Sequence, residues 1–133
     1  MKLFSETRFN VDVLKVEVLV NMAYVEGVGD EVCSTKKEPQ DLFKAQAETT
    51  KLPFIFLSAG VSSELFQQIL YFAKESSSTF NGVLCGGATW KEGVTSFAQN
   101  GQEAAEEWLQ TIEKEHIQKL NEVLKETATA LVL

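Results

Sequence analysis

Lys15 and Glu17 stand in the stretch Val11-Asp-Val-Leu-Lys-Val-Glu-Val-Leu-Val20, whose other members are mostly Val and Leu. A run of this composition reads as a strand buried on both faces, the habit of parallel sheets covered by helices. Side chains alternate along a strand, so Val13, Lys15 and Glu17 share one face while Leu14, Val16 and Val18 share the other. One face is wholly apolar and the other carries an ammonium beside a carboxylate. Taking an ion out of water costs several kcal/mol, roughly, so charges on such a strand are either paired or at work. A desolvated lysine amine is a nucleophile that traps a carbonyl as a Schiff base. Glu17 is the on-strand candidate for proton transfer beside it. The competing reading is a structural Lys15–Glu17 ion pair, and the strand alone leaves both open.

Two further stretches carry ligand-binding chemistry. Leu52-Pro-Phe-Ile-Phe-Leu57 runs into Ser58-Ala-Gly60, and Phe80-Asn-Gly-Val-Leu-Cys85 runs into Gly86-Gly87-Ala88. Glycine lets the backbone approach a ligand closely, and the free N–H groups at a helix start favour an anion, above all phosphate. Either motif alone also serves an ordinary turn. Two neighbouring strands that end this way carry more weight than one.

The elements that hold these residues alternate. After the first strand, Asn21 to Ser34 is a turn-rich loop holding Gly27, Gly29 and Asp30. Pro39 marks a helix start, with Leu42, Phe43 and Ala47 along one side. The second strand, Leu52–Leu57, has Pro53 where a missing donor does least harm. Ser62 or Ser63 caps a helix from about Glu64 to Lys74, whose buried side is Leu65, Phe66, Ile69, Leu70 and Ala73. The third strand is Phe80–Cys85. From Lys91 onward the chain reads as two or three helices, with Asn100-Gly101 as a stop. Trp108, Leu109, Ile112, Ile117, Leu120, Val123 and Leu124 supply their apolar faces, and His116 is expected at the surface. The order β-α-β-α-β-α predicts an α/β fold with parallel strands and right-handed crossovers. In (β/α)8 barrels the loops after the last two strands commonly hold a phosphate, and catalytic side chains project near strand C-termini. A lysine on the strand before such a pair has the geometry of a carbonyl-trapping amine beside a phosphate site.

Composition bounds the partners. The chain has 133 residues, 44% hydrophobic and 23% charged, as expected of one globular domain over 1–133. No run approaches the roughly 18 apolar residues that span a membrane. Met-Lys-Leu-Phe-Ser-Glu lacks the apolar core of a secretory signal, so the cytoplasm is the expected location. Cys33 and Cys85 have no metal-ligand spacing and are expected as free thiols. A net charge of -7 argues against nucleic acid and anionic membranes as partners.

The runs Arg8-Phe-Asn-Val-Asp-Val-Leu-Lys-Val-Glu-Val, Leu52-Pro-Phe-Ile-Phe-Leu-Ser-Ala-Gly-Val-Ser, Phe80-Asn-Gly-Val-Leu-Cys-Gly, Ala88-Thr-Trp90 and Leu120-Asn-Glu-Val-Leu-Lys-Glu-Thr-Ala128 resemble the C-terminal part of the tagatose 1,6-diphosphate aldolase family. The resemblance spans nearly the whole chain. It implies a partial (β/α)8 TIM barrel, strands six to eight with their helices. It also implies a class I aldolase, a lyase that cleaves tagatose 1,6-bisphosphate to dihydroxyacetone phosphate and glyceraldehyde 3-phosphate without metal or cofactor. Lys15 would be the Schiff-base lysine, and Ser58, Gly60 and Gly86 would line the phosphate and hydroxyl groups of a phosphorylated ketose. Gly87 belongs to the same loop but departs from the family pattern Gly-Arg-Ala-Thr-Trp. The absent Arg would be a phosphate ligand, and Gly cannot replace a bidentate guanidinium. Leu19 stands where Pro is usual, and the strands before the sixth have no counterpart. The alternative is a non-catalytic half-barrel that binds phosphate or a protein partner. Three strands leave two edges and one apolar face uncovered, which predicts a homo-oligomer.

Overall fold

The computed structural model describes residues 1–27 and 35–131. Gly29, Asp30 and Cys33 lie outside the described residues. Three strands, β1 (Leu14–Val16), β2 (Phe54–Leu57) and β3 (Val83–Leu84), alternate with helices α1 (Lys37–Glu48), α2 (Ser63–Glu75) and α3 (Gly87–Asn100). The chain continues through α4 (Gln102–Trp108), a π-helical turn (Leu109–Glu113) and α5 (Lys114–Thr127). The strands form one parallel sheet in the order β1-β2-β3, so the fold is α/β as the alternation predicts.

The register decides which side chains share a face. Leu14 pairs with Phe54, Lys15 with Ile55 and Val16 with Phe56; Phe56 and Leu57 pair with Val83 and Leu84. Leu14, Val16, Phe54, Phe56 and Val83 therefore look toward the helices. They meet Phe43 of α1, Phe66, Leu70, Phe72 and Ala73 of α2, and Leu120 and Val123 of α5. Phe56 is the centre of this layer, with ring centroids 5.9 Å from Phe43, 5.7 Å from Phe54 and 5.1 Å from Phe80. Edge-on and tilted aromatic pairs of this kind contribute about 0.5–1.5 kcal/mol each beyond the area they bury.

The other face carries Lys15, Ile55, Leu57 and Leu84, and Leu84 is 56% exposed. The expectation that the first strand is buried on both faces is thus corrected. The alternation holds, but Lys15 and Glu17 are exposed. The strand is also shorter than Val11–Val20, because among the described residues β1 pairs with β2 alone, whose own paired segment ends at Leu57. Among the described residues, no helix is long and apolar enough to cross a membrane.

Local chemistry explains the helix limits. The Ser62 hydroxyl accepts the Leu65 N–H at 3.2 Å, which makes it the cap of α2. Gly101, at φ +84, separates α3 from α4, and its N–H bonds the Phe97 carbonyl. Helix α1 starts at Lys37, ahead of Pro39, and Leu42 is exposed while Phe43 and Ala47 are buried. Helix α3 starts at Gly87 rather than Lys91, since the N–H groups of Thr89 and Trp90 both reach the Gly86 carbonyl. Leu109, Ile112 and Ile117, expected on buried faces, are exposed; Leu120 and Val123 carry the contact of α5 with the core. At the start of the sheet Asn81 accepts the Phe54 N–H at 3.0 Å and donates to the carbonyls of Thr129 and Ala130, which ties the segment after α5 to the strands.

Candidate functional site

Both small-residue motifs form tight strand-to-helix turns. In Ser58-Ala59-Gly60-Val61 the Val61 N–H returns to the Ser58 carbonyl, and the two central residues take positive φ, +50 at Ala59 and +78 at Gly60. A non-glycine residue held there costs about 1–3 kcal/mol, a strain that recurs at ligand-binding turns. After β3, the Gly86 carbonyl accepts the N–H groups of Thr89 and Trp90 and the Thr89 hydroxyl at 3.0 Å. A Cβ on Gly86 would lie 2.9 Å from the indole nitrogen of Trp90, whereas one on Gly87 would meet nothing within 4 Å. A side chain on the first glycine would press on the Trp90 indole; the second glycine faces open space.

Because β2 and β3 are parallel neighbours, these turns lie side by side. Between them opens a cleft of about 270 Å³, bordered by Gly60, the start of α2 at Ser62–Glu64, and the first turns of α3 from Gly87 to Glu92. His116 closes it from α5, with Nδ1 3.2 Å from the Thr89 carbonyl and its ring edge-on to Trp108. His116 is therefore half-buried rather than a surface residue. Lys91 brings a cation to the cleft, while Glu64 and Glu92 bring carboxylates. The arrangement offers helix-start N–H groups, hydroxyls and one ammonium to a polar ligand.

The sequence-derived candidates divide among three places. Gly60 and Gly87 border the same cleft, and Gly86 forms the turn beneath it. Ser58 is buried and borders a different cleft, of about 280 Å³, with Leu19, Asn21 and Met22. It also sits beside Cys85, whose thiol is pushed up by burial, with the Ser58 hydroxyl and the Ala88 backbone acting in the opposite direction. Lys15 borders neither cleft and projects from the bare face of the sheet beside Ile55. Glu17 follows β1, and its carbonyl accepts the Gln46 side chain at 3.1 Å. The ion pairs among the described residues join Arg8 to Glu6, Lys44 to Glu48 and Lys119 to Glu115, so Lys15 and Glu17 do not form a structural pair.

Sequence reasoning missed Thr89, Lys91 and His116. Lys91 had a usable signal: it lies one helical turn beyond Gly87 and so shares its side of α3. His116 had none, since α5 must first fold back along α2 so that its start reaches Thr89.

Residues 1–92 match the family described as DeoC/LacD family aldolase. The chain is 56% identical to tagatose 1,6-diphosphate aldolase 1 of Enterococcus faecalis and to tagatose 1,6-diphosphate aldolase 2 of Streptococcus agalactiae, in each case over 98% of its own length. It is 59% identical to tagatose 1,6-diphosphate aldolase of Staphylococcus aureus over the same share. It spans about 40% of the length of these curated relatives. With parallel β/α units, glycine-ended strands and this similarity over nearly all its residues, the chain belongs to the DeoC/LacD aldolase family.

Proposed function

We propose that the chain carries the Schiff-base half of a class I aldolase acting on tagatose 1,6-bisphosphate, with β1, β2 and β3 as strands six to eight of a (β/α)8 barrel. The observation that carries this reading is Lys15. It projects from the sheet face that no described helix covers, which in a closed barrel is the interior, on the strand beside two that end in small-residue turns.

In this mechanism the Lys15 amine attacks the ketone carbon and water leaves, giving an iminium. The carbon–carbon bond between the α and β carbons of the iminium breaks with its electrons drawn toward the iminium nitrogen, while the hydroxyl on the β carbon loses its proton and becomes the aldehyde of glyceraldehyde 3-phosphate. The enamine left behind takes a proton on carbon, and water then releases dihydroxyacetone phosphate and the free amine. Gly60, Gly86 and Gly87 serve the phosphate and hydroxyl groups, Ser58 assists from the neighbouring cleft, and Glu17 is an auxiliary group on the lysine side. No separate cofactor takes part, and the cytoplasm, where sugar phosphates are held, is the proposed location. The bare sheet face supports self-association as a homo-oligomer.

A second reading is favoured by one observation. Gly87 supplies no cation, and Glu64 and Glu92 border the same cleft, which suits a non-catalytic interaction half-barrel better than a phosphate site.

Treatment with dihydroxyacetone phosphate and borohydride separates the two. The expected result is a stable added mass on Lys15 that Lys15→Ala removes. Equal labelling of all surface lysines overturns the Schiff-base role.

A further inference from the structure

The cleft between the starts of α2 and α3 is where the proposed reading sets a phosphate of the substrate, yet position 87 supplies it with no cation. A phosphate monoester brings about 1.5 to 2 negative charges at neutral pH, and these need a counter-charge once they leave open water. Among the described residues bordering the cleft, Lys91 is the one lysine or arginine.

Helical spacing explains why it is there. Gly87, Lys91 and Thr95 follow one another four residues apart along α3, which sets them in one row, and all three border the cleft. Gly87 has no side chain, so the row presents nothing ahead of Lys91 on that side of the helix. The ammonium is also uncommitted. The ion pairs among the described residues involve Arg8, Lys44 and Lys119, and none includes Lys91.

The other charged and titratable groups at the cleft do not take its place. The Thr89 carbonyl can only accept, so the neutral His116 ring carries its proton on Nδ1 and has only the acceptor Nε2 left to offer. A neutral His116 therefore cannot donate to a phosphate. Glu64 and Glu92 oppose an anion, but unequally. Glu64 lies in the first turn of α2, where the helix end offsets negative charge. It also acts on Lys119 of α5, whose pKa is raised first by Glu115 and to a smaller degree by Glu64. Glu92 is the carboxylate that Lys91 has to outweigh.

We propose that Lys91 is a specificity-determining residue of the aldolase site: its ammonium meets a phosphate of the ketose and selects phosphorylated over neutral sugars. The inference rests on the cleft being the phosphate end of that site and not on Lys15 forming a Schiff base. A lysine serves such a role as a flexible point charge, which suits an exposed side chain at the rim.

Calorimetry on the whole chain at one fixed ionic strength, with inorganic phosphate and with dihydroxyacetone phosphate, tests it. Lys91→Gln is expected to weaken both about tenfold with unchanged circular dichroism. Lys91→Arg keeps the charge and the binding, and Lys74→Gln, in the last turn of α2, leaves binding as in the wild type. Borohydride trapping reads the specificity. Lys91→Gln lowers labelling of Lys15 by dihydroxyacetone phosphate at limiting concentration and does not change labelling by dihydroxyacetone, which carries no phosphate. Wild-type phosphate affinity in Lys91→Gln, equal losses with both trapping probes, an equal loss in Lys74→Gln or in Lys91→Arg, or a wild-type chain that binds no phosphate each overturns the assignment. Phosphate binding that depends on Lys91 while Lys15 is never labelled overturns the Schiff-base reading and leaves this one standing. Labelling of Lys15 that is indifferent to Lys91 does the reverse.

Discussion

The two faces of the sheet are built from the same three strands and have opposite characters. Toward the helices, Phe54 and Phe56 are buried among Phe43, Phe66, Phe72 and Phe80. Away from them, Lys15 is exposed and Leu84 is more than half exposed, with Ile55 and Leu57 between. The covered face holds the fold; the bare one holds Lys15, the proposed Schiff-base amine. In the proposed reading the amine stands on the face without apolar packing, because an amine inside the aromatic layer would be out of a substrate's reach.

The largest effect tests the covered face. Phe56→Ala removes a fully buried ring in contact with three others, and truncations of that kind cost about 3–5 kcal/mol. Urea denaturation is expected to show loss of a substantial part of the chain's stability. A change under about 1 kcal/mol would break the comparison, since buried aromatic truncations exceed that range.

Next in size is the contrast between adjacent glycines at the start of α3. Gly87→Arg meets open space and brings a guanidinium to the cleft already bordered by Lys91. A well-placed charge-assisted hydrogen bond contributes about 1.5–3 kcal/mol, so calorimetry is expected to show a phosphorylated ketose bound roughly tenfold to a hundredfold more tightly. Gly86→Ala, one residue earlier, forces the Trp90 indole to move and is expected to destabilise α3 without improving binding. Equal dissociation constants for wild type and Gly87→Arg would separate this loop from the phosphate.

Much of this was readable from the chain. Periodicity located the apolar side of α2, and the Asn100-Gly101 stop fell where α3 ends. Alternation assigned Lys15 and Glu17 to one side of the first extended segment, and both are exposed. What alternation did not reveal is whether a face is covered, because that depends on how many strands and helices the whole fold contains. The run Val11–Val20 looks doubly buried by composition alone, yet among the described residues the helices cover only the side that carries Leu14 and Val16. The separation of Ser58 from Gly60 was also illegible. Only the paired positive φ values of Ala59 and Gly60 turn the chain so that these near neighbours border different clefts. His116 was missed for a related reason, as no local pattern reports that α5 returns to Thr89.

The smallest effect concerns the bare face. Leu84 shares that face with Lys15, Ile55 and Leu57, yet more than half of its surface already meets water. Leu84→Ser therefore removes little buried area from the monomer, and substitutions at such positions usually stay within about 0.5 kcal/mol. If the bare face mediates self-association, the same change removes an apolar contact from the interface. Light scattering over a dilution series is then expected to show the variant dissociating at higher protein concentration than the wild type. The unfolding midpoint of the dilute monomer should be unchanged. A midpoint that falls as far as that of Phe56→Ala would mean that Leu84 is part of the core, and the distinction between the faces would fail. An unchanged midpoint with unchanged association would leave the distinction standing and move self-association to another surface.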